Sequence, residues 1–375
     1  MGRPVSDRST DDAPSPGELP QPPRLKRRVV RVVGVLVILS IIGYSLFVVL
    51  PSQVNTAEVR SSLGALSVTD LAVLTAAGLL VMLCLGWGSK ASLPGLTLYQ
   101  GTESSATSQV TAFVVPPPGD MVVRFAMYRT YGFTDEESAA AVLIAMIARY
   151  TAVFFMPIIG LVLVLISGNG SASYLWWLIG LSAVFFLLLT LLLRVVYSDG
   201  AAHAVGRVLQ RWATRIIHLF RRTPPTDLED SVLAFSHRVR GTLTTNYRGI
   251  AAANLSWGLA NALVLLLAVR FSGLDATALT VTETVLLAGA AMALNSIPIP
   301  GGFGITEAGL LAIASFSTSE ETAAFTAALF LYRVFTWLLP MPVGGAAFLA
   351  WRWRIRRETS STPDLSQGSP PSAAA

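Results

Sequence analysis

Asp120, Arg124, Arg149, Glu307 and Arg333 stand beside or within long apolar runs, where an ion is costly unless paired or hydrated. An acid or a base in such a place is a candidate functional residue by default. A guanidinium binds phosphate oxygens through paired, charge-assisted hydrogen bonds, so the arginines suggest an anionic ligand. Arg124 follows Gly119 by five residues, and Glu307 follows Gly302 by five. The two therefore hold matching places with opposite charge. They suit a mutual ion pair, or a site in which Arg124 receives a lipid phosphate. The plainer alternatives are an Arg124 that snorkels to the interface and a structural ion pair at Glu307. Arg149 and Arg333 each lie twelve residues beyond a glutamate at a helix start, about 18 Å along a helix, which puts both near the bilayer centre. Glu307, Asp120 or a substrate phosphate are their natural partners, and a structural bridge between halves is the alternative.

Each group of charges follows a helix breaker, "PPPGD" (116–120) or "PIPGG" (298–302). Pro118 and Gly119 mark the first break; Pro300, Gly301, Gly302 and Gly304 mark the second. A short helix starting at such a break presents unpaired N–H groups that can cradle a phosphate. Glycine also serves plain helix packing in membranes, and the neighbouring prolines favour the broken-helix reading.

The elements that position these residues follow from composition. Of the 375 residues, 53% are hydrophobic and 13% charged, against roughly 25% charged in soluble domains. Apolar runs near the ~20 residues that span hydrocarbon as helix recur at 31–50, 70–88, 138–166, 174–194, 249–270, 281–298 and 323–350, with 303–316 too short to cross alone. The fold class expected is an all-α polytopic membrane protein with about seven or eight transmembrane helices. Two Pro/Gly-broken re-entrant elements, 108–131 being the first, complete an inverted repeat. Residues 1–28 read as a disordered cytoplasmic tail, 29–355 as the membrane domain and 356–375 as a second tail. Within the domain the first repeat covers about 70–166, a cytoplasmic loop 195–248, and the second repeat about 249–350.

Lysines and arginines set the orientation. They crowd the N-terminal flank (Arg24, Lys26, Arg27, Arg28, Arg31), the 195–248 loop and the C-terminal flank (Arg352, Arg354, Arg356, Arg357), whereas the opposite loops hold only Arg60. Both termini are therefore expected in the cytoplasm. The net charge of +5 reflects this topology and does not imply nucleic acid. Cys84 is the single cysteine, so no intrachain disulfide can form. His203, His218 and His237 lack close metal-ligand spacing, and no cofactor or metal is expected.

The repeat is visible in "TDEESAAAVLIAMIAR" (134–149) against "TSEETAAFTAALFLYR" (318–333), 184 residues apart. Each copy has a breaker upstream and a proline downstream, Pro157 in one and Pro340 or Pro342 in the other. Thr134 and Thr318 with the following glutamates read as helix N-caps. The first breaker follows a helix running inward and the second a helix running outward, so the halves have opposite topology. Interrupted segments at matching places of inverted halves point to a transporter binding site near the midplane.

The stretches "PPPGDMVVRFAMYRTYGFT" and "NSIPIPGGFGITEAGL" resemble the lysylphosphatidylglycerol synthase transmembrane-region family, described as flippase-like integral membrane proteins. The resemblance covers about residues 30–355 and is most specific at "PGGFGITEAG". It implies a protein that moves a lipid and is not itself an enzyme, in the cytoplasmic membrane. Its partners would be membrane lipids with anionic head groups, and a separate lipid-modifying enzyme is compatible with it. Because 356–375 is short and polar, the translocating part without the aminoacyl-transferase domain is expected. The cargo stays open between an anionic or aminoacylated phospholipid and a polyprenyl phosphate. Two other classes compete: a transporter of ions or small solutes, and a membrane transferase using Asp120 and Glu307 as acid and base. Cysteines placed in 167–173 and 271–280 should label from outside intact cells and those in 200–245 should not. Outside labelling of 200–245 overturns the inverted topology.

Overall fold

The computed structural model describes residues 66–114, 119–168, 172–200, 228–296 and 305–360, with single positions at 64, 203, 204 and 207. The expected first span at 31–50, the tail at 1–28, Pro118, Pro300, Gly301, Gly302 and Gly304 lie outside the described residues. Among the described residues every element is helical: α1 (Val68–Ser92), α2 (Leu98–Val114), α3 (Gly119–Thr130), α4 (Asp135–Ile166), α5 (Ala172–Tyr197), α6 (Leu228–Phe271), α7 (Val281–Leu294), α8 (Ile305–Ala314), α9 (Ser319–Arg333), a π-turn (Val334–Leu338) and α10 (Pro340–Ser360). Among the described residues four stretches are long and apolar enough to cross a membrane: Val68–Ser92, Asp135–Ile166, Thr244–Phe271 and Ser319–Arg357. The protein is a polytopic helical membrane protein. α5 turns Trp176, Trp177, Phe186 and Leu187 outward, which suits a helix facing lipid.

Four helices start on capping boxes, Ser67 with Asp70, Thr134 with Glu137, Thr280 with Glu283 and Thr318 with Glu321. In each, the hydroxyl accepts from the third helical N–H while the acid takes the cap's own N–H. The Thr134 and Thr318 caps read from the sequence are thus present, at equivalent points of the two halves.

α2 and α3 form a helical hairpin. Near its tip Ser108 Oγ donates to the Asp120 carbonyl at 3.2 Å, and at its mouth the Tyr131 hydroxyl donates to Glu103 Oε2 at 2.6 Å. α7 and α8 form the second hairpin, where Thr306 Oγ1 donates to Asn295 Oδ1 at 2.9 Å. The first arms have 17 and 14 residues, fewer than the ~20 a full crossing needs. α4 separates the two mouths. It has 32 residues, about 48 Å of helix. It starts just after the first mouth, and its cap Ser167 lies 3.4 Å from Thr282 at the second. The hairpins therefore open toward opposite ends of α4.

The element starts recur between halves: 98 to 281, 119 to 305 and 135 to 319. The packing recurs too. Gly160 of α4 lies so close to α7 that an added Cβ would sit 2.3 Å from Leu286 Cα. Gly344 of α10, which is 184 residues further on, faces α2 in the same way, with Ala106 O at 2.3 Å. Each hairpin thus lies on the long helix of the other half. α1 and α6 run antiparallel between them, joined where Asn246 Nδ2 donates to the Ala91 carbonyl at 2.8 Å. The largest cluster of buried residues, with Leu74, Met156, Leu265, Leu287 and Phe325, draws on both halves.

Three boundaries differ from the sequence reading. α2 begins at Leu98, ten residues before the 108–131 element that the proline break suggests. It reads "LYQGTESSATSQVTAFV" and lacks an apolar run, because most of its hydroxyls and its acid point into protein. The connector assigned to 195–248 is helical from Leu228, with a non-helical Asn246 (φ −133°, ψ 22°) where the helix kinks. The span expected at 323–350 is α9, a π-turn and α10. Pro340 offers no N–H, and Leu339 N–H bonds five residues back to Val334 O at 2.8 Å. Gly160→Ala and Gly344→Ala should each cost about 1–3 kcal/mol by overpacking. Both should lower the unfolding midpoint in detergent, while Gly345→Ala, which meets open space, should leave it in place.

Candidate functional site

The two halves treat their equivalent charged positions differently. In the second, Glu307 occupies the first turn of α8 and Arg333 ends α9. Arg333 Nε donates to Glu307 Oε1 at 2.7 Å, with the side chains only 6% and 15% exposed. The acid sits where a helix N-terminus favours negative charge. The Arg333 guanidinium also lies 4.8 Å from the Trp337 ring centre, because the π-turn carries that indole back over it. A buried pair of this kind offsets desolvation only when its geometry is good. Here it ties the broken arm to the long helix.

In the first half the equivalent helices are α3 and α4, and both carry arginines, Arg124 and Arg149. The two line one small cleft of about 20 Å³. Five helices wall it: α1 gives Cys84, Gly88 and Ser89, α2 gives Ser105, and α6 gives Asn254 and Trp257. Arg149 rests on the Trp257 ring at 5.0 Å. Ser89 Oγ and Ser105 Oγ are 2.8 Å apart, and Ser105 Oγ donates to the Leu85 carbonyl at 3.3 Å. Arg124 Nε is buried without a hydrogen-bond partner. Among the described residues neither Arg124 nor Arg149 closes a salt bridge. Asp120 stands four residues before Arg124, yet makes no ion pair with it and does not line the cleft.

The structure therefore brings together Arg124 with Arg149, and Glu307 with Arg333. It does not pair Arg124 with Glu307, the cross-half bridge suggested by their matching positions. Those residues lie on hairpins that open toward opposite ends, and each meets the long helix that follows it in sequence. Arg149 finds an indole instead of a carboxylate. Gly119 is the first residue of α3. The enclosed Nε of Arg124 does not fit a side chain that simply snorkels into water.

Glu103 went unread in the sequence. Its side chain is 2% exposed. Tyr131 donates to it at 2.6 Å, Tyr99 donates at 3.3 Å, and Arg354 of α10 pairs with it. Nearby, Trp351 Nε1 donates to Thr130 Oγ1 at 2.9 Å. The end of α10 is thereby strapped to the first hairpin's mouth. The available signal was a lone acid in a stretch of hydroxyl residues, and Arg354 read only as a topology arginine.

A family model described as the lysylphosphatidylglycerol synthase TM region matches residues 31–344. No curated protein matches the chain. Glu307→Gln should destabilise by about 3–5 kcal/mol, the cost of taking the carboxylate from a buried arginine. Adding Arg333→Met should recover most of the loss. Unfolding midpoints measured in detergent check both, and an unchanged midpoint in Glu307→Gln excludes the pair as a brace.

Proposed function

We propose, from the premise that this chain belongs to the lysylphosphatidylglycerol synthase transmembrane-region family, that it is a lipid translocase. It is a multi-pass membrane protein of a lipid-related family. The cargo class is an anionic or aminoacylated phospholipid, or a polyprenyl-phosphate carrier, crossing the cytoplasmic membrane with both protein termini inside.

One observation carries this reading: two arginines face a walled cleft and close no salt bridge there among the described residues. Guanidiniums aimed at space in a low-dielectric setting call for an anion. A phosphate would be held between Arg124 and Arg149, with the enclosed Arg124 Nε as a donor to it. The lipid's tails need no cavity, since they stay in hydrocarbon while the head group crosses. Two hairpins opening toward opposite ends supply the geometry for alternating access. The transferase alternative needs Asp120 and Glu307 at one centre, and they stand on separate hairpins.

Vesicles holding the purified protein should move fluorescent phosphatidylglycerol or a labelled polyprenyl phosphate between leaflets faster than empty vesicles. Arg124→Gln or Arg149→Gln removes a charged hydrogen bond worth about 1.5–3 kcal/mol, so each should slow movement about tenfold or more. Uptake of a soluble solute with no lipid movement replaces this reading by the solute-transporter alternative.

A further inference from the structure

We infer that the cleft selects a phosphate-bearing head group with no amine and rejects an aminoacylated one. The inference rests on reading the cleft as the head-group site, and it narrows the cargo to amine-free lipids.

A lysyl or other aminoacyl head group carries an ammonium that needs a carboxylate, a free carbonyl or an aromatic face. Among the described residues the lining offers no acid, and Asp120, which acts on Arg149 through space, stands outside it and gives no oxygen to the cleft. The aromatic face is already taken, because the Arg149 guanidinium rests on Trp257 at 5.0 Å. The Leu85 carbonyl already accepts the Ser105 hydroxyl, and Ser89 and Ser105 are engaged with each other. Asn254 donates its Nδ2 to the Ile250 carbonyl at 2.9 Å, which leaves one amide oxygen as a neutral acceptor. An incoming ammonium would meet two guanidiniums across a small space. Like charges brought together with little water are repelled strongly. A bare phosphate meets the opposite situation, two fixed cations and a buried donor, Arg124 Nε, that has no partner.

Gly88 gives a way to reverse the sign of this selection. An added Cβ there meets only Asn254 Nδ2, at an ordinary 3.9 Å. Gly88→Asp therefore introduces a carboxylate into the cleft without a clash at Cβ, and Gly88→Ala is its steric control. Asn254→Asp is an isosteric second route should Gly88→Asp fail to fold.

The test uses the full-length protein in phosphatidylcholine nanodiscs. Short-chain phosphatidylglycerol and its lysyl ester are titrated separately, and the rise in unfolding temperature reports binding. We expect the wild type to bind phosphatidylglycerol at least tenfold more tightly than the lysyl ester. Gly88→Ala should keep that ratio, and Gly88→Asp or Asn254→Asp should abolish or invert it. Equal or tighter binding of the lysyl ester by the wild type overturns the inference. So does a ratio unchanged by both folded acidic variants. Movement between leaflets is read in a separate vesicle assay. Selective binding without movement removes the translocase reading and keeps this inference. Movement of the lysyl ester as fast as phosphatidylglycerol does the reverse.

Discussion

A helix that stops inside hydrocarbon leaves N–H and C=O groups that lipid cannot satisfy. The proposed translocase reading places two such stops in this chain, after α2 and after α7, and much of the architecture would serve to cover them. Each break lies in a hairpin whose first arm is laid against the long helix of the opposite half. Gly160 and Gly344 make that approach close enough to exclude anything between. Side-chain hydroxyls bond to backbone across the first hairpin, as Ser108 does to Asp120. Crossed support gives each hairpin a protein contact beyond its own half.

The same crossed frame holds two different electrostatic solutions. In the second half an acid was placed opposite the long-helix arginine, and the pair closes on itself under an indole. In the first half an arginine occupies the matching arm, and a cleft remains where the pair would have closed. The backbone repeat and the charge pattern are thus separable properties. One explains why the chain folds as two related halves, and the other explains why the first half presents a cationic cleft. Glu103 and Arg354 add a further asymmetry by fastening α10 to the first hairpin's mouth.

Much of this was legible in the sequence because the signals are local or periodic. Apolar length announced α1, α4 and the outer part of α6. The threonine–glutamate spacing announced the starts of α4 and α9, and the repeated motif tied the halves together. The pair of Arg333 with Glu307 was among those the sequence offered, whereas the pair of Arg124 with Glu307 does not form. Arg124 and Glu307 share a repeat position, but sharing a position under inverted symmetry separates residues and does not join them. α2 was missed because hydropathy recognises helices that face lipid, and this one is wrapped by others. Its acid, Glu103, takes its meaning from Arg354, 251 residues away, a contact that neither composition nor spacing encodes.

The surplus positive charge of the first-half cleft has an electrical consequence. Moving one elementary charge through a potential of 100 mV changes its energy by about 2.3 kcal/mol. Under the translocase function proposed above, a cleft that carried Arg124 and Arg149 from one leaflet's side toward the other would be a gating charge when unloaded. A membrane negative inside would draw the vacant cleft toward the cytoplasm, and each negative charge on a bound head group would cancel part of that pull. Resting orientation and loaded orientation would then answer to voltage differently, which gives such a cleft a direction without any coupling ion.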